Sequence, residues 1–333
     1  MSLAKFTIKR VFHGVLVAWA AVTVIFLLRF ASPVDVATAL IPVDVPPHAR
    51  EAMRAELGLD QPIYIQYIRY LTDVAQGDLG YSYISRISVN ELAMNRLPAT
   101  IELATSAIAV TVLLSIPLGV ASAMNRHKLK DYLASTFALV GISTPNFWLG
   151  IMLILVLSVQ LGLFPTSGRE IGFVEALWML LSQLDPDGLV TWLRYITLPA
   201  VTLGTYYVAL ITRLTRSEML EQLGKQYVKV LHAKGLPETL VTFKYVLRNS
   251  LISVVTVLGL MFGSLLNGAV VVEVVFRWPG MGNFLVRAIG TSDWPVIQGT
   301  LIIFAIMWVV INFSVDVIYT VLDPRVALEG EKR

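Results

Sequence analysis

Cysteine is absent from this 333-residue chain, and charge is scarce. Without thiolates there is no disulfide framework, no cysteine-ligated zinc or iron–sulfur centre and no thiol nucleophile. Charged residues make up 15% and apolar residues 56%, against soluble-domain norms of about 25% and about 45–50%. That balance excludes a disordered chain and an ordinary soluble enzyme of this length. The only Gly-Lys pair, Gly224-Lys225, is followed by Gln226, so no phosphate-binding P-loop is present. No H-E-x-x-H or G-x-S-x-G occurs, and His13, His48, His127 and His232 are scattered. A histidine metal site is not expected, and no catalytic residues are assigned.

What is present in quantity is apolar sequence, with a mean hydropathy of +0.70. A bilayer core of ~30 Å is crossed by about 20 apolar residues in a helix. Six runs qualify, near Val11–Phe30, Ile101–Met124, Tyr132–Leu161, Ile196–Thr212, Leu251–Val272 and Val296–Tyr319. They are continuously apolar and not alternating, which argues against a β-barrel. The first run follows Lys5, Lys9 and Arg10 as a signal peptide's would. It exceeds an ordinary apolar signal region of about 7–15 residues, and only the weak Ala37-Thr38-Ala39 resembles a cleavage site. It therefore reads as a span. The third run is too long for one straight helix, and Ser143-Thr144-Pro145-Asn146 should kink it; Pro117 should do the same in the second.

Charge placement orients these spans. The N-terminus, the loop after span two, the loop after span four and the C-terminus hold sixteen of the 26 basic residues, including every lysine, against seven acids, a balance of +9. The remainder holds ten basic and sixteen acidic residues, a balance of −6. Basic short loops stay in the cytoplasm, so both termini are expected there. The chain then divides into residues 1–30 (tail and first span), an extracytoplasmic loop 31–100, a five-span core 101–322 and a cytoplasmic tail 323–333. Within the core lie an extracytoplasmic loop 162–195 and a cytoplasmic loop 213–250.

The 31–100 loop is patterned. Pro46-Pro47 opens a helical stretch that Gly58 closes, and Pro62 opens one that Gly77 closes. In the second, Tyr64, Tyr67, Ile68, Leu71 and Val74 recur at helical spacing. They fit a helix resting on the membrane surface, or a platform for an external protein. The 162–195 loop reads as irregular, with turns at Pro165, Gly168, Gly172 and Asp185-Pro186-Asp187-Gly188.

The cytoplasmic loop is the most informative segment. Arg216–Lys234 reads as one basic helix ended by Gly235 in a left-handed position, and Leu236-Pro237 restarts a helix through Thr239, Lys244 and Arg248 into span five. Tyr227, Val230, Leu231 and Lys234 share a face, which could lie on anionic lipid or enter a groove on a cytoplasmic partner. Charges within spans, Arg29, Glu102, Glu273 and Asp316, fall near span ends, where snorkelling reaches water. No mid-span acid or base offers an ion relay. Ser143, Thr144, Asn146, Asn267 and Asn312 are the polar mid-span groups, suited to interhelical hydrogen bonds or to a translocation path.

Several segments resemble the inner-membrane permeases of dipeptide, oligopeptide and nickel importers of the ATP-binding-cassette (ABC) type. They are Leu57-Gly58-Leu59-Asp60-Gln61-Pro62, Gln76-Gly77-Asp78-Leu79-Gly80, Arg96-Leu97-Pro98-Ala99-Thr100, Ser143 to Gly150, Arg213-Leu214-Thr215-Arg216-Ser217, Ala233-Lys234-Gly235-Leu236, Arg248-Asn249-Ser250, Phe276 to Gly282 and Leu322-Asp323-Pro324-Arg325. They occur in the family's order over nearly the whole chain.

The resemblance implies an all-α polytopic fold of the type I importer permease kind, with structured extracytoplasmic loops and a coupling helix. It implies a multi-pass protein of a bacterial-type inner membrane that forms half of a path for peptide-like solutes by alternating access. A nickel chelate or small oligosaccharide is the alternative cargo, and a self-sufficient secondary transporter the alternative class. Its implied partners are a second related permease, two cytoplasmic ABC ATPases that bind ATP and Mg, an extracytoplasmic substrate-binding protein and the lipid bilayer, with no nucleic acid. The chain itself would bind no cofactor and catalyse no reaction. Tyr227, Val230, Leu231, Ala233, Lys234, Gly235 and Arg248 would couple to the ATPases, and Ser143, Asn146, Asn267 and Asn312 would line the path. Two departures stand out. Val230-Leu231-His232-Ala233-Lys234-Gly235 replaces the family's Thr-Ala-Arg-Ala-Lys-Gly, and Ser32-Pro33-Val34-Asp35 replaces its Gly-Asp-Pro.

Overall fold

The computed structural model describes residues 3–31, 47–56, 58–82 and 84–322. The Ser32–Asp35 departure, the 323–333 tail and the side chains of Asn267 and Asp316 lie outside the described residues. Five described helices are long and apolar enough to cross a membrane, and a bent pair makes six if counted as one span. The chain separates into two compact units, residues 1–98 with 280–333, and residues 99–279.

In the first unit the Leu3–Ala31 helix runs along Trp294–Leu322, so closely that a Cβ on Gly14 would meet Val309 Cγ1 at 3.0 Å. The Pro47–Glu56 and Ile63–Ala75 helices occupy the two stretches read from their prolines, and Gly58 and Gly77 take left-handed φ of 67° and 81°. Tyr70, Leu71 and Val74 pack on Val22, Ile25 and Ile302, and Tyr67 Oη lies 2.6 Å from Thr23 Oγ1. Part of the expected surface face is thus spent on the chain's own first helix, while Tyr64 and Ile68 stay exposed. A small hairpin, Tyr81–Ser82 with Ile87–Ser88, precedes the short Val89–Met94 helix, and Ser82 Oγ donates to the buried Asp293 carboxylate at 2.5 Å. The Met281–Gly290 helix closes this unit against Trp294–Leu322.

The second unit is built round the 37-residue helix Asp187–Leu223, which continues through Pro199. The Leu97–Met124 helix, continuous through Pro117, packs on it along a seam of small residues, Ala104, Ala107, Thr111, Ser115 and Gly119. Small residues let helix backbones approach where lipid offers no hydrophobic contrast. A Cβ on Gly204 would meet Ala107 O at 3.0 Å, and one on Gly119 would meet Thr215 Cβ at 2.6 Å.

The third run bends at the proline expected to kink it, but far more sharply, into two helices, Leu129–Ser143 and Asn146–Gln160, at 106° to one another. Thr144 precedes a proline, which disfavours the helical conformation, and both Thr144 and Pro145 are extended, with ψ of 123° and 132°. The 162–195 loop is also more ordered than it reads. Phe173–Gln183 is a helix that the flanking turn residues concealed, and the next helix already begins at Asp187.

Candidate functional site

The end of the second unit that carries the basic loops is a layered platform. Asp187–Leu223 stops at Gly224-Lys225, where Lys225 turns extended with ψ of 150°, and Gln226–Ala233 begins. The basic stretch 216–234 is therefore two helices and not one. The break lets Met219, Leu220 and Leu223 from one side and Tyr227, Val228 and Leu231 from the other reach the same core. Val120 and Ala123 of the second span and Val241 and Val246 of the approach to the fifth complete it. One short helix thus rests on elements from three spans.

Its C-terminus is built as the sequence suggests. Gly235 has φ of 75°, its N–H donates to His232 O at 2.9 Å, and the Leu236 N–H donates to Leu231 O at 3.3 Å. This pair of bonds is the Schellman motif, and Leu231 and Leu236 supply its apolar contact on the core. Pro237 then starts the next helical segment, which runs from Glu238 through a π-helical Val241–Val246 into Leu247–Val275.

Beneath the platform lies a polar bracket. The buried Asp131 carboxylate accepts four hydrogen bonds: at Oδ1 from Ser122 Oγ (2.5 Å) and Arg216 Nε (2.7 Å), at Oδ2 from Arg216 Nη2 (2.9 Å) and the His127 N–H (2.9 Å). The pairing is bidentate, the strong geometry for a guanidinium on a carboxylate. His127 takes a left-handed φ of 63° to present its N–H. The bracket ties three helices together, Leu97–Met124, Leu129–Ser143 and Asp187–Leu223, one turn from the core that seats Gln226–Ala233.

The opposite end of the same unit has its own node. Glu102 accepts from Arg169 Nη2 (2.7 Å), Trp192 Nε1 (2.6 Å) and the Phe173 N–H (3.2 Å). The Arg169 guanidinium stands 5.9 Å from the ring centroid of Trp278, whose Nε1 donates to Ala99 O at 2.8 Å. Thr100 Oγ1 donates to Glu273 at 2.7 Å. Neither acid snorkels to water as expected from its place near a span end. Glu273 is fully buried, and the Glu102 side chain is 8% exposed. Close packing at Gly150, whose Cβ would meet Phe276 at 3.1 Å, joins this end too. Parts of three of the quoted segments, Ala99-Thr100, Gly150 and Phe276 to Trp278, therefore meet in space.

Residues 115–328 match the family described as binding-protein-dependent transport system inner membrane component, and residues 3–104 match its N-terminal component. The chain belongs to this family. It is 40% identical over 292 residues to the dipeptide transport system permease protein DppB of Escherichia coli K12, covering 85% of this chain and 86% of that one. It is 37% identical to the probable D,D-dipeptide transport system permease protein DdpB of the same strain, over 97% of each chain. With a putative peptide transport system permease protein of Brucella suis biovar 1 it shares 38%, over 96% of this chain and 98% of that one. A crystal structure of an amino acid ABC transporter with histidines has the same fold, at a TM-score of 0.51 and 15% identity, covering 69% of this chain and 94% of that chain. This is a multi-pass permease of an ABC importer.

Within the permease, the seven residues expected to couple divide into two sets. Tyr227 and Leu231 face the chain's own core, while Val230, Ala233, Lys234, Gly235 and Arg248 are exposed. Tyr227, Val230, Leu231 and Lys234 do not share one environment, because Val228, which the pattern omitted, is the fully inward residue at 2% exposure. Of the expected path residues, Ser143 and Asn146 flank the 106° bend, Ser143 exposed and Asn146 half-buried. Asn312, in the other unit, donates to Trp308 O at 2.7 Å within its own helix. Asp131 and Arg216 are the site residues that sequence pattern missed. Nothing in their 85-residue separation signals a pair; only the Arg213–Ser217 segment, quoted for resemblance, touched on one of them.

Proposed function

We propose that the permease forms half of a translocation path for di- and oligopeptide-like solutes, with a second, related permease supplying the other half. Two cytoplasmic ATPases bind ATP and Mg and supply the energy, and an extracytoplasmic binding protein delivers cargo; this chain binds no cofactor and hydrolyses nothing. Both termini and the platform face the cytoplasm, in keeping with the concentration of basic residues there. The observation that carries the coupling role is the double nature of Gln226–Ala233. Its back is seated on elements from three spans, and its front offers Val230, Ala233 and Lys234 to a groove. A push on such a helix moves the cytoplasmic ends of several spans together, which is what alternating access requires. Peptide cargo is supported by the relatives' names, DppB and DdpB among them.

The test is uptake into vesicles holding the assembled transporter. ATP-dependent accumulation of a labelled dipeptide, exceeding that of a nickel chelate or an oligosaccharide, is the expected result. Gradient-driven uptake by the permease alone would instead make it a secondary transporter. The hinge has its own test. A Cβ on Gly235 would meet nothing of this chain within 4 Å, so within the permease a substitution there acts through its left-handed φ. That costs an ordinary residue about 1–2 kcal/mol. Gly235→Val should lower solute moved per ATP hydrolysed by roughly tenfold, the equivalent of ~1.4 kcal/mol. Gly235→Asn, which tolerates that φ, should stay close to the parent. Equal coupling in all three proteins would discard the hinge.

A further inference from the structure

The helix after the Glu102 node shows an unusual outward face. Val174, Leu177, Trp178, Leu181 and Leu184 are 80%, 36%, 68%, 70% and 85% exposed, and they recur at helical spacing on one side of Phe173–Gln183. Ala176 is fully buried, and it packs with Met179 against Gly188. Contiguous apolar exposure of this kind marks an interaction surface. The question is whether lipid or protein covers it.

Chain length places the helix relative to the bilayer. Trp192 lies 21 residues before Arg213, within the range of about 17–25 that a span occupies. That count puts Trp192 at the outer edge of the hydrocarbon, and a 2.6 Å hydrogen bond ties it to Glu102. The ring of Phe173 sits 4.9 Å from that of Trp192, while Ala176 and Met179 face Gly188. Phe173–Gln183 therefore runs antiparallel to the start of the fourth-span helix. Each residue after Phe173 climbs away from the membrane, at ~1.5 Å per residue. Leu181 and Leu184 stand roughly 12 and 16 Å beyond the edge, past a headgroup layer of about 6 Å.

We infer that this stripe is the seat of the extracytoplasmic part of the second permease subunit, an inference that rests on the two-permease reading above. Lipid does not reach its outer half. A binding protein that docks and leaves would return five large apolar side chains to water in every cycle, and transient interfaces are correspondingly polar. Permanent interfaces are the apolar ones, and Glu175 is the single charge on this helix. The seat is also preorganised. The Phe173 N–H is fixed by Glu102, and Glu102 by Arg169 and Trp192, so little order remains to be imposed when the partner arrives.

The experiment uses the assembled transporter in membranes, with a photo-crosslinking benzoyl-phenylalanine in place of Leu181. Adducts with the second permease subunit, in equal yield with and without binding protein, are expected. Adducts chiefly with lipid or with the binding protein would overturn the seat. In parallel, Leu181→Asp should lower the amount of second permease that co-purifies by at least about tenfold, whereas Gln183→Glu on the other side should leave it unchanged. Undiminished pairing in Leu181→Asp would also overturn it. If the parent chain purifies with no second permease at all, the two-permease reading fails together with the seat; if the pair forms but crosslinks elsewhere, only the seat fails.

Discussion

Replacing Arg216 by methionine should destabilise the permease by about 3–5 kcal/mol, the typical cost of removing one partner from a buried ion pair. The Asp131 side chain is 6% exposed and would keep only the Ser122 hydroxyl and the His127 N–H as donors. The reverse change is milder. Arg216 is 29% exposed on its side chain and can turn to water when its partner is lost, so Asp131→Asn should fall below that range. The order Arg216→Met worse than Asp131→Asn, read from thermal unfolding of the purified transporter in detergent, is the distinguishing result. A double variant, Asp131→Leu with Arg216→Met, should recover part of the loss because no buried charge remains. Because the bracket lies beside the seat of Gln226–Ala233, ATP hydrolysis and uptake should also lose their proportionality in Arg216→Met. Equal stability in the two single variants would mean that the bracket carries no buried charge penalty.

The second large effect is expected at Gly119. Its Cβ would lie 2.6 Å from Thr215 Cβ and 3.0 Å from Thr212 O, and neither a Cβ nor a helix backbone can swing aside. Overpacking of this kind costs about 1–3 kcal/mol for a methyl group, and Gly119→Val should exceed Gly119→Ala. The specific check is rescue. Thr215→Ala keeps the clashing Cβ and should not restore Gly119→Ala, whereas Thr215→Gly should, less about 1 kcal/mol for a glycine within a helix. The buried Thr215 hydroxyl has no hydrogen-bond partner, so its removal adds no further loss. Rescue by Thr215→Ala would show that the helices separate at this point and that the contact is not backbone-limited.

Positions whose signal is local were readable in advance. The Pro62 and Gly77 boundaries depend on proline's missing donor and glycine's free φ, and the Ile63–Ala75 helix falls between them. Gly235 followed the same rule, and its Schellman bonds are present. Where the outcome depended on which neighbour a helix meets, the pattern misled. The 216–234 stretch reads as one helix, yet it breaks at Gly224-Lys225 because a separate short helix can turn back onto the core and one straight helix cannot. Glu102 and Glu273 sit near span ends in sequence, and it is the distant donors Arg169, Trp192 and Thr100 that keep them buried.

The sequence by itself determined that this chain lives in a bilayer, how many apolar runs it has, which loops are basic and where proline and glycine punctuate its helices. Each of these follows from composition, run length or one residue's backbone chemistry. The tertiary structure alone decided the pairing of Asp131 with Arg216, the Glu102 node and the outward stripe of Phe173–Gln183. These join residues tens to more than a hundred positions apart, or depend on which face of a helix finds a neighbour. No local periodicity encodes such choices, since they are fixed only when the helices pack.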